Sequence, residues 1–338
     1  MRNLASIQII KELIPIEGAD AIEIAAVLGW RVVVKKGEFK IGDKCIYCEI
    51  DSLMPNRPEF EFLKPRAMRI RTVRLRGQVS QGICFPLTLL PNDTKIEEGI
   101  DVTEILGITK YEAPIPASLS GIAKGSFPSF IPKSDETRVQ VLQAVLDKYN
   151  ETTCYITEKL DGSSVTYFIK NAEFGVCSRN LELLETEENT FWKVARQLDI
   201  ENKLRSLNRN CAIQGELIGE NVQSNKYKLR GQTVKFFNFF DIDKRQYVSF
   251  SEFKTVFKDL SLEIVPVIDE NYSLTNDIES LVKTSVAKSV LNPEAWREGI
   301  VIRPLNETID YIASGGLLHN DRLSFKVINP EFLLKYGE

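Results

Sequence analysis

Glu158-Lys159-Leu160-Asp161-Gly162 places an amine beside two carboxylates, where a strand-like run meets a turn, with a glycine that lets a ligand approach the backbone. A lysine becomes a nucleophile only after losing a proton, which a metal ion or neighbouring cations in a water-poor pocket promote. K-x-D-G by itself recurs by chance in surface turns. Its weight comes from five further motifs downstream, in this order: Ser178-Arg179-Asn180, Gly215-Glu216-Leu217-Ile218-Gly219, Phe239-Phe240-Asp241-Ile242, Glu298-Gly299-Ile300-Val301-Ile302-Arg303 and Ser324-Phe325-Lys326-Val327. The single histidine, His319, cannot supply a multi-histidine metal site or a two-histidine acid and base pair, so the chemistry rests on Lys, Arg, Asp and Glu.

The elements that must position these groups alternate between strands and helices. Strand patterns cover 153–158, 163–169, 173–177, 211–218, 234–240, 299–303 and 323–328. Ser134 with Asp135 and Glu136, then Val139, Leu142, Val145 and Tyr149, has the cap, first-turn acids and apolar spacing of a helix. Further helices are expected over 186–198 and 276–290. Strands outnumber helices and come in neighbouring pairs, which predicts an α+β domain of antiparallel sheets flanked by helices. Upstream, short strands at 25–34, 45–50, 68–75 and 83–90, separated by glycine turns, predict a small β-barrel over 1–106. Residues 107–152 read as a connector with a helix, rich in Pro, Gly and Ser from 109 to 132, and 153–338 as the second domain.

The chain has 338 residues, 43% hydrophobic and 27% charged, which fits two folded domains and excludes a disordered chain. Its 43 basic and 47 acidic residues leave a net charge of -4, so any nucleic acid is held by a local basic patch. Six cysteines sit in apolar runs, and the amino terminus lacks the layout of a secretory signal, so reduced thiols in the cytoplasm are expected, with the nucleus or an organelle as alternatives. No apolar run reaches the ~18 residues needed to span a bilayer, and no membrane partner is expected.

Together the ordered motifs resemble those of the covalent nucleotidyltransferases, the superfamily of ATP-dependent DNA and RNA ligases and mRNA capping enzymes, across roughly residues 153 to 330. The chain is most similar to RNA ligase family 5, in which an OB domain precedes the catalytic domain. Phe127 to Glu136, with Arg138 and Gln140, resembles RNA ligase sequence upstream of the nucleophile. DNA ligases and capping enzymes lead one to expect a further domain after Lys326, so domain order favours an RNA ligase.

The resemblance implies the ATP-grasp-like adenylation fold and an ATP-dependent RNA ligase, a monomer that joins 3′-hydroxyl and 5′-phosphate ends at nicks in an RNA-containing duplex. It implies Lys159 as the nucleophile that forms lysyl-AMP, Glu158 on the adenine amino group and Phe240 stacked on the ring. Arg179 and Glu216 would engage the ribose, Asp161 and Glu298 would hold Mg²⁺ or Mn²⁺, and Gly162 lines the nucleotide site. Lys326 would neutralise the α-phosphate, while Ser324 stands where many relatives carry a second basic residue. Alternatives are a capping-type guanylyltransferase, a DNA ligase, or an RNA-binding module of the same fold that has lost activity.

Taken singly, Phe240 is a core residue, Glu216 a strand-end carboxylate, Arg179 a surface ion pair and His319 a loop residue beside the Gly315-Gly316 turn. Only the joint order lifts the first three above those readings. From Lys64 to Arg76, Arg69, Arg71, Arg74 and Arg76 alternate as on a strand, with a bulge between Arg71 and Arg74. Such a stripe suits a groove for phosphate backbone, or support of an acidic neighbour.

Overall fold

The computed structural model describes residues 3–111, 122–311 and 316–337. Contacts divide the chain into two compact units, Met1–Pro114 with Pro330–Glu338, and Ile115–Asn329. The final helix therefore groups with the first unit, whereas the compositional division runs the second domain to 338. Much of the Pro- and Gly-rich connector, including Pro114, Pro116 and Gly121, lies outside the described residues, as does Gly315.

The first unit contains, in chain order, β1 (Ala5–Pro15), β2 (Ile22–Val27), β3 (Trp30–Lys35), β4 (Lys44–Cys48), β5 (Ser52–Leu53), β6 (Val73–Leu75), β7 (Gln78–Ser80), β8 (Ile83–Phe85), α1 (Thr103–Leu106) and β9 (Thr109–Lys110). Five strands form an antiparallel, OB-like barrel in the order β3-β2-β1-β4-β8. β1 serves two neighbours: Ala5 to Ile9 pair with β4, and Ile10 to Pro15 with β2, with a register shift between Ile10 and Glu12. A bulge of this kind bends a strand enough to close a small sheet. Ile10, Val27, Trp30, Val32 and Tyr47 fill the interior.

Two expectations change here. Residues 25–34 form a hairpin, because Leu28 takes a left-handed φ of 53° and the chain reverses into β3. The basic stretch is not one strand either: Pro58–Arg66 is a 3-10 helix, Ala67 and Met68 follow with positive φ, and Arg76 and Gly77 form the two-residue turn between β6 and β7. Its arginines point to different partners. Arg69 lies 2.7 Å from Asp51 and 3.8 Å from the centre of the Tyr111 ring, Arg71 donates to the Gly337 carbonyl, and Arg74 pairs with Glu331 at 2.5 Å.

The second unit is two sheets, each with an apolar back. It contains β10 (Ala123–Ser126), β11 (Thr137–Arg138), α2 (Gln143–Lys148), β12 (Thr153–Lys159), β13 (Ser163–Lys170), β14 (Glu173–Cys177), β15 (Leu181–Leu183), α3 (Thr190–Gln197), α4 (Ile200–Ser206), β16 (Cys211–Gly219), β17 (Gln232–Asp241), β18 (Gln246–Tyr247), α5 (Phe250–Asp259), β19 (Val267–Ser273), α6 (Ile278–Ser285), β20 (Gly299–Pro304) and β21 (Phe325–Ile328). One sheet runs β10-β15-β14-β13-β16-β17-β18 and the other β11-β21-β20-β12-β19. Tyr167, Ile213, Phe236 and Phe239 on the first pack against Trp192, Leu204 and Phe257 of the helices. Ile156, Ile300, Ile302 and Phe325 on the second pack with Val145 of α2 and Leu281 of α6. α7 (Pro330–Tyr336) belongs to the first unit.

The helix expected from Ser134 begins only at Val139, as a 3-10 turn, and continues as α2. Pairing explains the difference: Thr137 and Arg138 extend alongside Phe325 and Lys326, the one parallel pairing in these two sheets among the described residues. The later helices are shorter than expected, starting after the caps Asn189 and Asp277, whose side chains accept backbone N–H groups.

Phe236→Ala should remove a fully buried ring and cost about 3–5 kcal/mol, read from the urea midpoint. Arg74→Ala, which breaks an exposed pair, should cost at most about 1 kcal/mol in the same measurement.

Candidate active site

Strand parity decides which side chains share a face. Lys159 ends β12 opposite Gly299, and Thr157, two residues earlier, faces Val301, itself opposite Lys326. Lys159 and Lys326 therefore project from one face of the second sheet, with Arg138 beside Lys326 in parallel register. On the first sheet Glu216 is paired with Ser164 and Lys235. The inner faces of the two sheets bring these groups together.

Lys159 Nζ lies 2.6 Å from both carboxylate oxygens of Glu298. Burial opposes charge on this amine, but Glu298, Glu216 and Asp161 outweigh it and hold its pKa above the ordinary value. Glu216 goes the other way: burial, reinforced by Glu298 and Asp161 and opposed by Lys159, pushes its carboxyl up to about 8. Three acids thus act on one lysine.

Asp161 is ion-paired with Lys226, both nearly buried, and its backbone N–H donates to Tyr227 Oη at 2.6 Å. Gln223 donates to the Gly162 carbonyl at 3.1 Å. These three partners lie on the loop between β16 and β17, which sequence reasoning missed because nothing local ties it to residues sixty positions upstream. Gly162 is required by space: a Cβ there would stand 2.3 Å from the Leu217 carbonyl oxygen. Glu158 points to the opposite side from Lys159. It is 1% exposed, Oε2 accepts the Val290 N–H at 2.8 Å, and Oε1 has no hydrogen-bond partner among the described residues. Burial raises its pKa against the hydrogen bonds from Ser289 and Val290.

Not every expected residue arrives. Phe240 packs against Tyr247 in a separate cluster with Ile131, Phe168 and Ala212. The register shift between Gln214 and Gly215 rotates β17 relative to the sequence pattern, and Phe237, not Phe240, packs with Leu160, Tyr227 and Leu291 beside the nucleophile turn. Arg179 is 57% exposed and pairs with Asp135. Ser324 is buried, donates to Glu136 at 2.7 Å and accepts from Arg303 Nε at 2.9 Å. A guanidinium from the neighbouring strand therefore stands beside the position where a basic side chain was expected.

Among the described residues no group of three or more acids, cysteines or histidines is already gathered to hold a metal. Asp161 and Glu298 nevertheless supply hard oxygen donors of the kind a divalent cation takes.

The chain matches an OB-fold domain model over residues 4–87 and the RNA ligase model over residues 152–328. It is similar to Naegleria gruberi RNA ligase with PPi, at 40% identity and a TM-score of 0.89, covering 100% of this chain and 99% of that one. A mutant of the same ligase with ATP and Mn matches at 39% identity and TM-score 0.89 over 100% of both chains. A further mutant with AMP and Mn matches at 40% and 0.88 over 98% of each. No curated protein sequence matches.

Because folded Glu216 keeps its proton up to about pH 8 whereas the unfolded side chain loses it near 4.5, the folded state binds more protons between these values. Stability of the nucleotide-free protein should therefore fall as pH rises through that window. Glu216→Gln should remove this part of the slope in urea titrations run from pH 4.5 to 8; an unchanged slope would show that Glu216 is ionised throughout.

Proposed function

The chain belongs to the RNA ligase family and is an ATP-dependent RNA ligase that uses a divalent metal, and on that premise we propose that it seals RNA 3′-hydroxyl and 5′-phosphate ends at nicks in a duplex. The observation that carries the reading is Lys159, an amine on one sheet held 2.6 Å from Glu298 and facing Glu216 and Asp161.

Glu298 holds Lys159 as an ammonium, so nucleotide binding must part them and let Nζ shed a proton. The amine then attacks the α-phosphorus of ATP: a P–N bond forms, the bond to the β-phosphate oxygen breaks, and pyrophosphate leaves with that electron pair. A 5′-phosphate oxygen next attacks the same phosphorus and restores the amine. The 3′-hydroxyl finally attacks the activated 5′ end, closing the phosphodiester and expelling AMP. Each step is in-line substitution, which asks the protein for positioning and charge neutralisation.

Lys326 shares the face of Lys159 and serves the α-phosphate, Glu216 serves the ribose, and Arg179 joins it there only by leaving Asp135. Asp161 and Glu298 would hold Mg²⁺ or Mn²⁺, which neutralises phosphate charge and favours the free amine. The unpartnered Glu158 Oε1 suits an adenine amino donor and opposes the carbonyl that guanine presents there. Phe237 takes the stacking role that sequence order assigns to Phe240.

In the first unit, Arg71, Arg74 and Arg76 serve the phosphate backbone of the duplex, while Arg69 is held by Asp51 and Tyr111. The protein acts as a monomer in the cytoplasm.

Incubation with α-labelled ATP or GTP should label the protein with ATP alone, and Lys159→Ala should abolish the band while leaving thermal unfolding unchanged. Labelling by GTP alone would indicate capping chemistry. Replacing Arg71, Arg74 and Arg76 by Ala should weaken binding to a nicked RNA duplex and reduce the salt slope by about one unit per lost phosphate contact; identical salt series would exclude the stripe from the interface.

A further inference from the structure

Between β20 and β21 the chain leaves the second sheet and returns by an excursion anchored at both limbs. Glu307 accepts from Arg322 Nε and Nη2 at 2.5 and 2.9 Å, and the Asp310 N–H donates to the Asp321 carbonyl at 2.7 Å. The Asp310 carboxylate accepts from Lys148 at 2.6 Å and the Tyr149 hydroxyl at 2.7 Å. The return limb is thereby brought against Lys133. His319 Nε2 lies 3.1 Å from the Lys133 carbonyl oxygen, so Nε2 carries the hydrogen and Nδ1 is left as an acceptor.

Lys133 is exposed and donates to the neutral Asn180 Oδ1 at 2.8 Å; among the described residues it meets no carboxylate. Lys133, Asn238, Tyr247, His319 and Arg322 line a small polar pocket whose other wall is Ser134 to Glu136. That wall leads into the catalytic cleft. Asp135 holds Arg179, and Ser134 Oγ is 3.3 Å from the Ser164 hydroxyl, the strand partner of Glu216.

We propose that Lys133 and His319 form a subsite for one ribonucleotide beside the junction, with the Lys133 ammonium on its phosphate and His319 Nδ1 accepting from its 2′-hydroxyl. The inference rests on the RNA ligase reading. An ammonium without a carboxylate suits a phosphate, and a neutral acceptor fixed next to it suits the hydroxyl that distinguishes RNA from DNA. The carbonyl of Lys133, by orienting the imidazole, couples the two contacts.

The test uses nicked RNA duplexes whose 5′ end is already adenylylated, sealed without ATP, with single 2′-deoxy substitutions at the three nucleotides on either side of the nick. In the parent protein one substitution should slow sealing about tenfold, the effect of one lost hydrogen bond. His319→Ala should slow the all-RNA substrate by a similar factor and abolish that difference. Lys133→Ala should weaken duplex binding about tenfold with a shallower salt slope. Both variants should accept label from ATP like the parent. Unchanged sealing and binding, sensitivity to 2′-deoxy substitution that persists in His319→Ala, or loss of labelling in parallel with sealing would each overturn the subsite. A parent protein that takes no label from ATP would overturn the ligase reading itself.

Discussion

The Lys159 ammonium stands among three acids, and the second unit is arranged around that fact. Lys159 faces Glu298 and Glu216 while Lys226 holds Asp161, and burial, reinforced by Glu298 and Asp161, keeps the Glu216 carboxyl up at about 8. An amine held this way keeps its proton. The groups that keep it protonated are hard oxygen donors of the kind that suit a divalent metal.

Such a cluster exists only if two sheets meet at a fixed separation. Each sheet has an apolar back clamped by helices and an inner face free to carry polar groups. Within each sheet glycine keeps neighbouring strands close: a Cβ on Gly162 would reach the Leu217 carbonyl and one on Gly299 the Val327 carbonyl, each at 2.3 Å. Arg322 donates to Asn238, which donates to Gln214, so a buried polar network ties the connection between β20 and β21 to the first sheet.

The places where the chain departs from simple motif reading have local causes. At Ser324 a small hydroxyl leaves room for the Arg303 guanidinium, itself neutralised by Glu136. Segment 133–138 is extended because it supplies an edge strand and two acids, Asp135 and Glu136, to cations on opposite sheets. The bulge in β17 chooses between Phe237 and Phe240.

Strand positions in the second unit were legible because apolar runs bounded by turns have period two, and the order of Lys159, Glu216, Glu298 and Lys326 identified the chemistry. The five-stranded first unit was legible as a class, though β1 was missed and the arginine stretch was assigned to one strand where backbone reversals at 67–68 and 76–77 scatter it. Periodicity and residue type are local properties, and the sequence by itself determined what they encode: the main strands of the second unit and the family of reaction. Only the tertiary structure decided that Lys226 and Tyr227 hold Asp161, that Phe240 is core, and that His319 meets Lys133, because register shifts and contacts across more than sixty residues depend on how the sheets pack rather than on neighbours in the chain.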